Sequence, residues 1–251
     1  MHTCGAGRGN EFSKWGSMKY KAVIFDLGDT LLFSSPSQGQ IYADRLRYLG
    51  HSIGDENFIL VQNAITNAAN EQIAKEKRGA PRMPDDEFER MLDCAVLRSI
   101  GCQKNIEQSL ERLRQLPLPQ QELMIVDGAE RVLQSLFSRG YRLGVVSNHK
   151  KWMIDYLKKV KLADYFETII ISEIVGVEKP DVRIMQIAID SMSLSASDCL
   201  YVGDHPFDVL CAKEAGLDCV WLSPPEAVLS EDIPYKEDYR IQCLEGLLEW
   251  L

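Results

Sequence analysis

The 251-residue chain has little of what would tie it to a membrane, a nucleic acid or an oxidising compartment. No apolar run approaches the roughly 20 residues needed to cross a bilayer as a helix. A basic excess is also missing: 28 Lys and Arg stand against 37 Asp and Glu, a formal net charge of −9. Nucleic acid and anionic membrane surfaces are therefore poor partners, and an anionic substrate must be met by a local positive site. No C-x-x-C pair occurs among Cys4, Cys94, Cys102, Cys199, Cys211, Cys219 and Cys243, and the spacings do not suit zinc. Several lie in apolar contexts, as Cys199 does before Leu200-Tyr201-Val202, so we read all seven as buried free thiols in a reducing cytoplasm. Internal repeats and low-complexity tracts are absent too. The opening residues 1–17 lack the apolar centre of a signal peptide, and a second methionine, Met18, stands just before the first strand. We read 1–17 as a disordered expression leader.

What is present fits an ordinary globular protein, with 45% hydrophobic and 26% charged residues and enough length for one domain carrying a sizeable insertion. The stretch that organises the rest is Ala22-Val23-Ile24-Phe25-Asp26-Leu27-Gly28-Asp29-Thr30. Four apolar residues read as a buried strand that delivers Asp26 into a turn. After it, Phe33 to Gly39 is turn-rich, and up to about Leu123 the pattern is helical with no convincing strand. Phe58, Val61, Ile65 and Ala68 recur at helical spacing, as do Phe88, Met91, Leu92, Ala95 and Val96; a third helix runs from Ile106 through Leu113 towards Pro117 and Pro119. Residues 34–123 therefore form a helical insertion.

From Asp127 helices and strands alternate. Helices over 129–139, 152–160, 182–191 and 209–215 lead to strands at 141–146, 168–171, 199–202 and 219–222, with a last strand at Tyr239-Arg240-Ile241. Alternation of this kind implies a parallel sheet covered by helices on both faces. Ligands of such sheets bind beyond the carboxyl ends of the strands. Those ends carry Asp26; Ser147-Asn148-His149; Lys179 in Gly176-Val177-Glu178-Lys179-Pro180; and Asp204 and Asp208 in Gly203-Asp204-His205-Pro206-Phe207-Asp208. Asp26 and Asp204 are suited to share a magnesium ion, Ser147 and Lys179 to hold phosphate oxygens, and Asp208 to support these groups from behind. His149, His205, Trp152 and Phe207 stand between a substrate contact and a structural role, and the basic run Lys75 to Arg82 between greeting an anion and forming a solvated helix end.

These four stretches resemble, in order and spacing, the motifs of the haloacid dehalogenase superfamily, mostly aspartate-nucleophile phosphatases. The likeness covers about Lys21 to Leu222 and implies a Rossmann-like α/β core (18–33 and 124–251) with an inserted all-helical C1 cap (34–123), as in phosphoglycolate phosphatase and 2-haloacid dehalogenase. It implies Asp26 as nucleophile, Lys179 as catalytic cation, Thr30, Ser147 and Asn148 as phosphate-binding residues, and Mg2+ held by Asp26, Asp204 and the carbonyl of Gly28. The expected substrate is a small phosphorylated metabolite. One departure stands out: Gly28 occupies the position where the phosphatases carry an acid/base aspartate. Asp29, one residue later, replaces it only if the loop turns it inward. Losing such a group costs roughly 10²- to 10⁴-fold in rate, which implies a slow phosphatase or one biased towards good leaving groups. Dehalogenation without metal, and a catalytically weak binding protein, remain as alternatives.

Overall fold

The computed structural model describes residues 19–77, 80–81, 83–102, 104–225, 227–229 and 233–251. The expected leader, 1–17, and part of the Lys75–Arg82 run lie outside the described residues. The described residues of Met1–Phe33 and Met124–Leu251 form one compact unit, and those of Ser34–Leu123 another.

In chain order the elements are β1 (Ala22–Phe25), β2 (Leu32–Ser35), α1 (Gln38–Tyr48), α2 (Asp55–Lys77), α3 (Asp85–Ser99), α4 (Ile106–Arg114), β3 (Glu122–Ile125), α5 (Ala129–Ser138) and β4 (Arg142–Ser147). There follow α6 (Met153–Lys159), β5 (Thr168–Ile171), α7 (Ser172–Val175), α8 (Arg183–Ser191), β6 (Cys199–Gly203), α9 (Pro206–Glu214), β7 (Asp218–Leu222) and β8 (Tyr239–Ile241). Six of the strands build one parallel sheet in the order β5-β4-β1-β6-β7-β8. This is the α/β Rossmann-like class that the alternation implies. Every residue of β1 and β6 is buried, as the continuous apolar runs of a two-sided parallel sheet require. Ile184, Met185 and Ala188 of α8 and Val209 and Ala212 of α9 join Ile24, Tyr201 and Trp221 in one cluster. Helix α5 buries Ala129, Val132, Leu133 and Leu136; Gly140, at φ +87°, then takes the left-handed turn into β4.

The second unit contains α1 to α4. Tyr42, Leu46, Val61, Val96, Leu97, Leu110 and Leu113 supply its core, in keeping with the helical spacing of the last three stretches. Helix α1 was hidden in the sequence behind the turn-rich opening; the Ser37 hydroxyl starts it by accepting a hydrogen bond from the Gln40 N–H at 3.2 Å. Inside this unit the buried Asp93 accepts from the Tyr42 hydroxyl at 2.8 Å and the Arg114 Nε at 3.2 Å.

Two expectations are corrected. Residues 33–123 do contain strand: β2 and β3 pair as a separate two-stranded sheet. Both are mostly half-buried or exposed, so neither carries the apolar run by which a strand is recognised, and long-range pairing decides the conformation. Among the cysteines, Cys94, Cys102, Cys199, Cys211 and Cys219 are free, whereas Cys243 is disulfide-bonded. No helix among the described residues is long and apolar enough to cross a membrane.

Candidate active site

Strand register brings the polar residues to one edge. Phe25, the last residue of β1, pairs with Val145 on β4 and with Val202 on β6, and those strands end only two and one residues further on, at Ser147 and Gly203. The order of the sheet reverses around β1, the position at which open α/β sheets form a crevice. The Asp26 N–H extends the ladder by one bond, donating to Val202 O at 2.9 Å. A tight turn follows, in which Leu27 O accepts the N–H groups of Leu31 and Leu32 at 2.9 and 2.8 Å. That turn buries Thr30 and leaves Gly28 and Asp29 exposed. Asp29 takes φ +51°, and its N–H donates to Leu32 O at 2.7 Å.

Lys179 sits at the centre. Its buried Nζ donates to Asp26 Oδ1 at 2.6 Å, Asp208 Oδ1 at 2.7 Å and Tyr201 Oη at 3.0 Å. Asn148 fixes its main chain from both sides: Oδ1 accepts the Lys179 N–H at 2.7 Å, and Nδ2 donates to Lys179 O at 2.7 Å. Asn148 thus binds the loop that carries the lysine, a pairing that residue type and spacing alone did not reveal. Ser147 is buried at the end of β4.

Asp208 lies in the first turn of α9, where it and His205 form a reciprocal cap; Asp208 Oδ2 accepts the His205 N–H at 3.0 Å. The helix therefore starts at Pro206 rather than Val209. Gly203 is required by the same arrangement, since a Cβ there would lie 2.4 Å from Asp208 Cγ. Asp204 has other partners: Oδ1 accepts from Thr30 Oγ1 at 3.1 Å, while its main-chain oxygen accepts from Trp221 Nε1 at 2.7 Å.

The charges do not balance locally. Asp26, Asp204 and Asp208 place ligand oxygens within 4.8 Å of one another, and Lys179 is bonded to Asp26 and Asp208. Burial pushes Asp26 up to about 6, against the pull of Lys179 and with a further push from Asp208. Asp204 lies well above the ordinary carboxylate range, chiefly from burial and then from the charges of Asp208, Asp26 and Asp29. Burial opposes the charge on Lys179, but Asp208 and Asp26 outweigh it and hold the ammonium protonated. An all-oxygen donor set with surplus negative charge suits a hard divalent cation.

Two histidines make local bonds. His149 Nδ1 accepts the Lys150 N–H at 2.9 Å and its ring meets Trp152 edge-on at 5.0 Å. His205 Nδ1 accepts the Phe207 N–H at 3.1 Å. Burial lowers the pKa of both. Lys75 forms an exposed i,i+4 pair with Glu71 at 2.8 Å. Sequence reasoning missed Tyr201, whose signal was a phenol inside an otherwise apolar buried strand, where a hydroxyl must find a partner.

Known proteins resemble this chain in sequence and in fold. The family model described as haloacid dehalogenase-like hydrolase matches residues 23–222. A glyceraldehyde 3-phosphate phosphatase of Pyrococcus abyssi is 36% identical over 100 residues, 38% of this chain and 41% of that protein. A phosphoglycolate phosphatase of Pseudomonas fluorescens is 28% identical over 205 residues, covering 81% of this chain and 69% of its own length. The chain spans only 41% and 54% of the two Pyrococcus phosphatases that it matches. Among solved structures, the magnesium-bound hydrolase YfnB of Bacillus subtilis aligns over 92% of this chain and 98% of its own with a TM-score of 0.60 and 21% identity, a likeness of fold.

Proposed function

The chain belongs to the haloacid dehalogenase-like hydrolase family, and from that premise we propose that it is a magnesium-dependent phosphatase acting on a small phosphorylated metabolite through an aspartyl-phosphate on Asp26. The observation that carries this reading is the surplus charge at the strand ends: the buried carboxylates of Asp26 and Asp208, both bonded to the Lys179 ammonium, and the half-buried carboxylate of Asp204 place ligand oxygens within 4.8 Å of one another. Asp26, Asp204 and the Gly28 carbonyl would hold the Mg2+, which when bound neutralises phosphate charge.

Asp26 attacks phosphorus in line, the bond to the leaving oxygen breaks, and that oxygen departs with the electron pair. Water then attacks the aspartyl-phosphate, releasing phosphate and restoring Asp26. Lys179 and Ser147 bind the phosphoryl oxygens, Thr30 orients Asp204 through its 3.1 Å bond, and Asn148 and Asp208 hold Lys179 in place. Gly28 supplies no proton to the leaving group, and Asp29 is exposed beside it, so the reading extends to a preference for acyl and aryl phosphates. The phosphatase names of the Pyrococcus and Pseudomonas relatives support the reaction class. Metal-free dehalogenation ranks second, because it leaves the surplus negative charge of the site without a purpose.

The test is phosphate release from acyl, aryl and alkyl phosphates, with magnesium or with chelator, and Asp26→Asn as control. Magnesium-dependent turnover that vanishes in the variant is expected. Silence across the panel from folded protein overturns the phosphatase reading and directs the search to halide release. Loss of turnover in Asp29→Ala as complete as in Asp26→Asn would make Asp29 the acid/base.

A further inference from the structure

Tyr201 lies on β6, wholly buried in the apolar cluster with Met185 and Val209, and nothing in the reaction outlined above uses it. Its hydroxyl is nevertheless at the junction of three other parts of the site. It accepts from Lys179 Nζ at 3.0 Å, lies 3.0 Å from Asp208 Oδ1 and 3.1 Å from Val146 O, and so touches the lysine loop, α9 and β4 at once. A phenol has one hydrogen to donate and lone pairs to accept with. Its hydrogen goes to Asp208 or Val146, which leaves an oxygen lone pair directed at the ammonium.

The donor count makes this contact matter. A lysine ammonium has three N–H groups, and Lys179 meets three acceptors: Asp26, Asp208 and Tyr201. Two of these are anions on opposite sides of the lysine's task, one the nucleophile and one the cap of α9. When one Asp26 oxygen bonds to phosphorus the carboxylate loses its charge, and its bond to Nζ is weakened. Asp208 and Tyr201 then remain as the fixed pair that keeps Nζ aimed at the reacting centre. We propose that Tyr201 is a positioning residue for Lys179, which holds the ammonium in register while Asp26 changes partner. The inference rests on the phosphatase reading for its kinetic consequence, but the tyrosine–lysine contact can be tested without turnover.

The experiment is Tyr201→Phe, which keeps the ring and removes the oxygen, read in two ways. The first is the lysine ammonium 1H–15N resonance, assigned by its loss in Lys179→Arg; a buried, hydrogen-bonded ammonium exchanges its protons slowly enough to be seen. In Tyr201→Phe the resonance should broaden away or exchange at least about tenfold faster, as expected when one of three charge-assisted bonds is removed. The second is steady-state kinetics, in which kcat should fall by about 10- to 100-fold with KM little changed. An unaltered ammonium resonance overturns the proposal whatever happens to kcat, and so does a freed ammonium with undiminished kcat. If the wild-type enzyme hydrolyses no phosphate ester, the phosphatase reading has failed, and the ammonium measurement alone decides whether Tyr201 holds the lysine. Should Tyr201→Phe not fold, Tyr201→Met carries the same test.

Discussion

On the proposed phosphatase reading, Gly28→Asp should speed the hydrolysis of esters with poor leaving groups. The backbone at Gly28 has no left-handed φ, and a Cβ built there meets only Asp26 Oδ2, at 3.9 Å, an ordinary van der Waals separation. The position is exposed, so the new side chain enters without strain. A carboxylate there would lie about 5 Å from Asp26; at an effective dielectric of about 20 the repulsion is up to about 3 kcal/mol. That repulsion acts on the ionised form and so lifts the new carboxyl by up to about two pKa units from its usual ~3.9. A carboxyl raised in this direction is better suited to protonate an alkoxide at neutral pH. General acid catalysis is worth roughly 10²- to 10⁴-fold, and an unoptimised acid should reach the lower end. We expect kcat on alkyl phosphates to rise about 100-fold, with little change on aryl phosphates and none for Gly28→Asn, which has no proton to give. The assay is phosphate release against leaving-group pKa, with magnesium present throughout. An alkyl-to-aryl rate ratio that stays at its wild-type value in folded Gly28→Asp would refute the account of Gly28 as a missing acid.

Other substitutions test the surroundings. Gly203→Ala must displace the Asp208 carboxylate that a Cβ would meet at 2.4 Å; a stability loss of about 1–3 kcal/mol in urea denaturation, together with weaker turnover, is expected, and wild-type stability would contradict the close approach. Magnesium should raise the melting temperature of the wild type and chelator should reverse it, whereas Asp204→Asn should lose most of that response; an undiminished response would move the ion elsewhere. Burial opposes the ionisation of Asp218, but hydrogen bonds from Tyr20 at 2.6 Å and Lys19 at 2.9 Å prevail and lower its pKa. Its stabilisation is therefore present above the unfolded carboxylate pKa of about 3.9 and is lost as pH falls through the lower folded value. The melting-temperature gap between wild type and Asp218→Asn should be constant at neutral pH and close below about pH 4; a gap that widens on acidification would reverse the sign.

The sheet was legible because its strands are written in a strong local code. Ala22-Val23-Ile24-Phe25, Thr168-Ile169-Ile170-Ile171 and Cys199-Leu200-Tyr201-Val202 are short apolar runs between helical patterns, and the acidic and basic residues stand where those runs stop. Asp26, Lys179, Asp204 and Asp208 could be singled out by position alone; the structure bonds Lys179 to Asp26 and Asp208, holds Asp204 on Thr30, and brings the three carboxylates within 4.8 Å of one another. The strands β2 and β3 were not legible, because Phe33-Ser34-Ser35 and Glu122-Leu123-Met124 have mixed polarity and each becomes a strand only by pairing with a segment far along the chain. The same reason hid the Asn148–Lys179 main-chain pairing and the Tyr201 contact, which join residues 31 and 22 positions apart. Gly203 carries its meaning only once Asp208 folds back over it.

The bond from the Asp26 amide to Val202 O ties the proposed nucleophile to the innermost strand pair of the sheet. Amide protons in such a place exchange with solvent only when the whole unit opens, while those of turns and frayed ends exchange through local fluctuations. Deuterium uptake should therefore divide the loop within a few residues. The Asp26 amide should exchange as slowly as the global unfolding equilibrium permits, and the exposed Gly28 amide far sooner. The carboxylate proposed to meet phosphorus would then have the stiffest anchorage the fold offers, with compliance beginning two residues later.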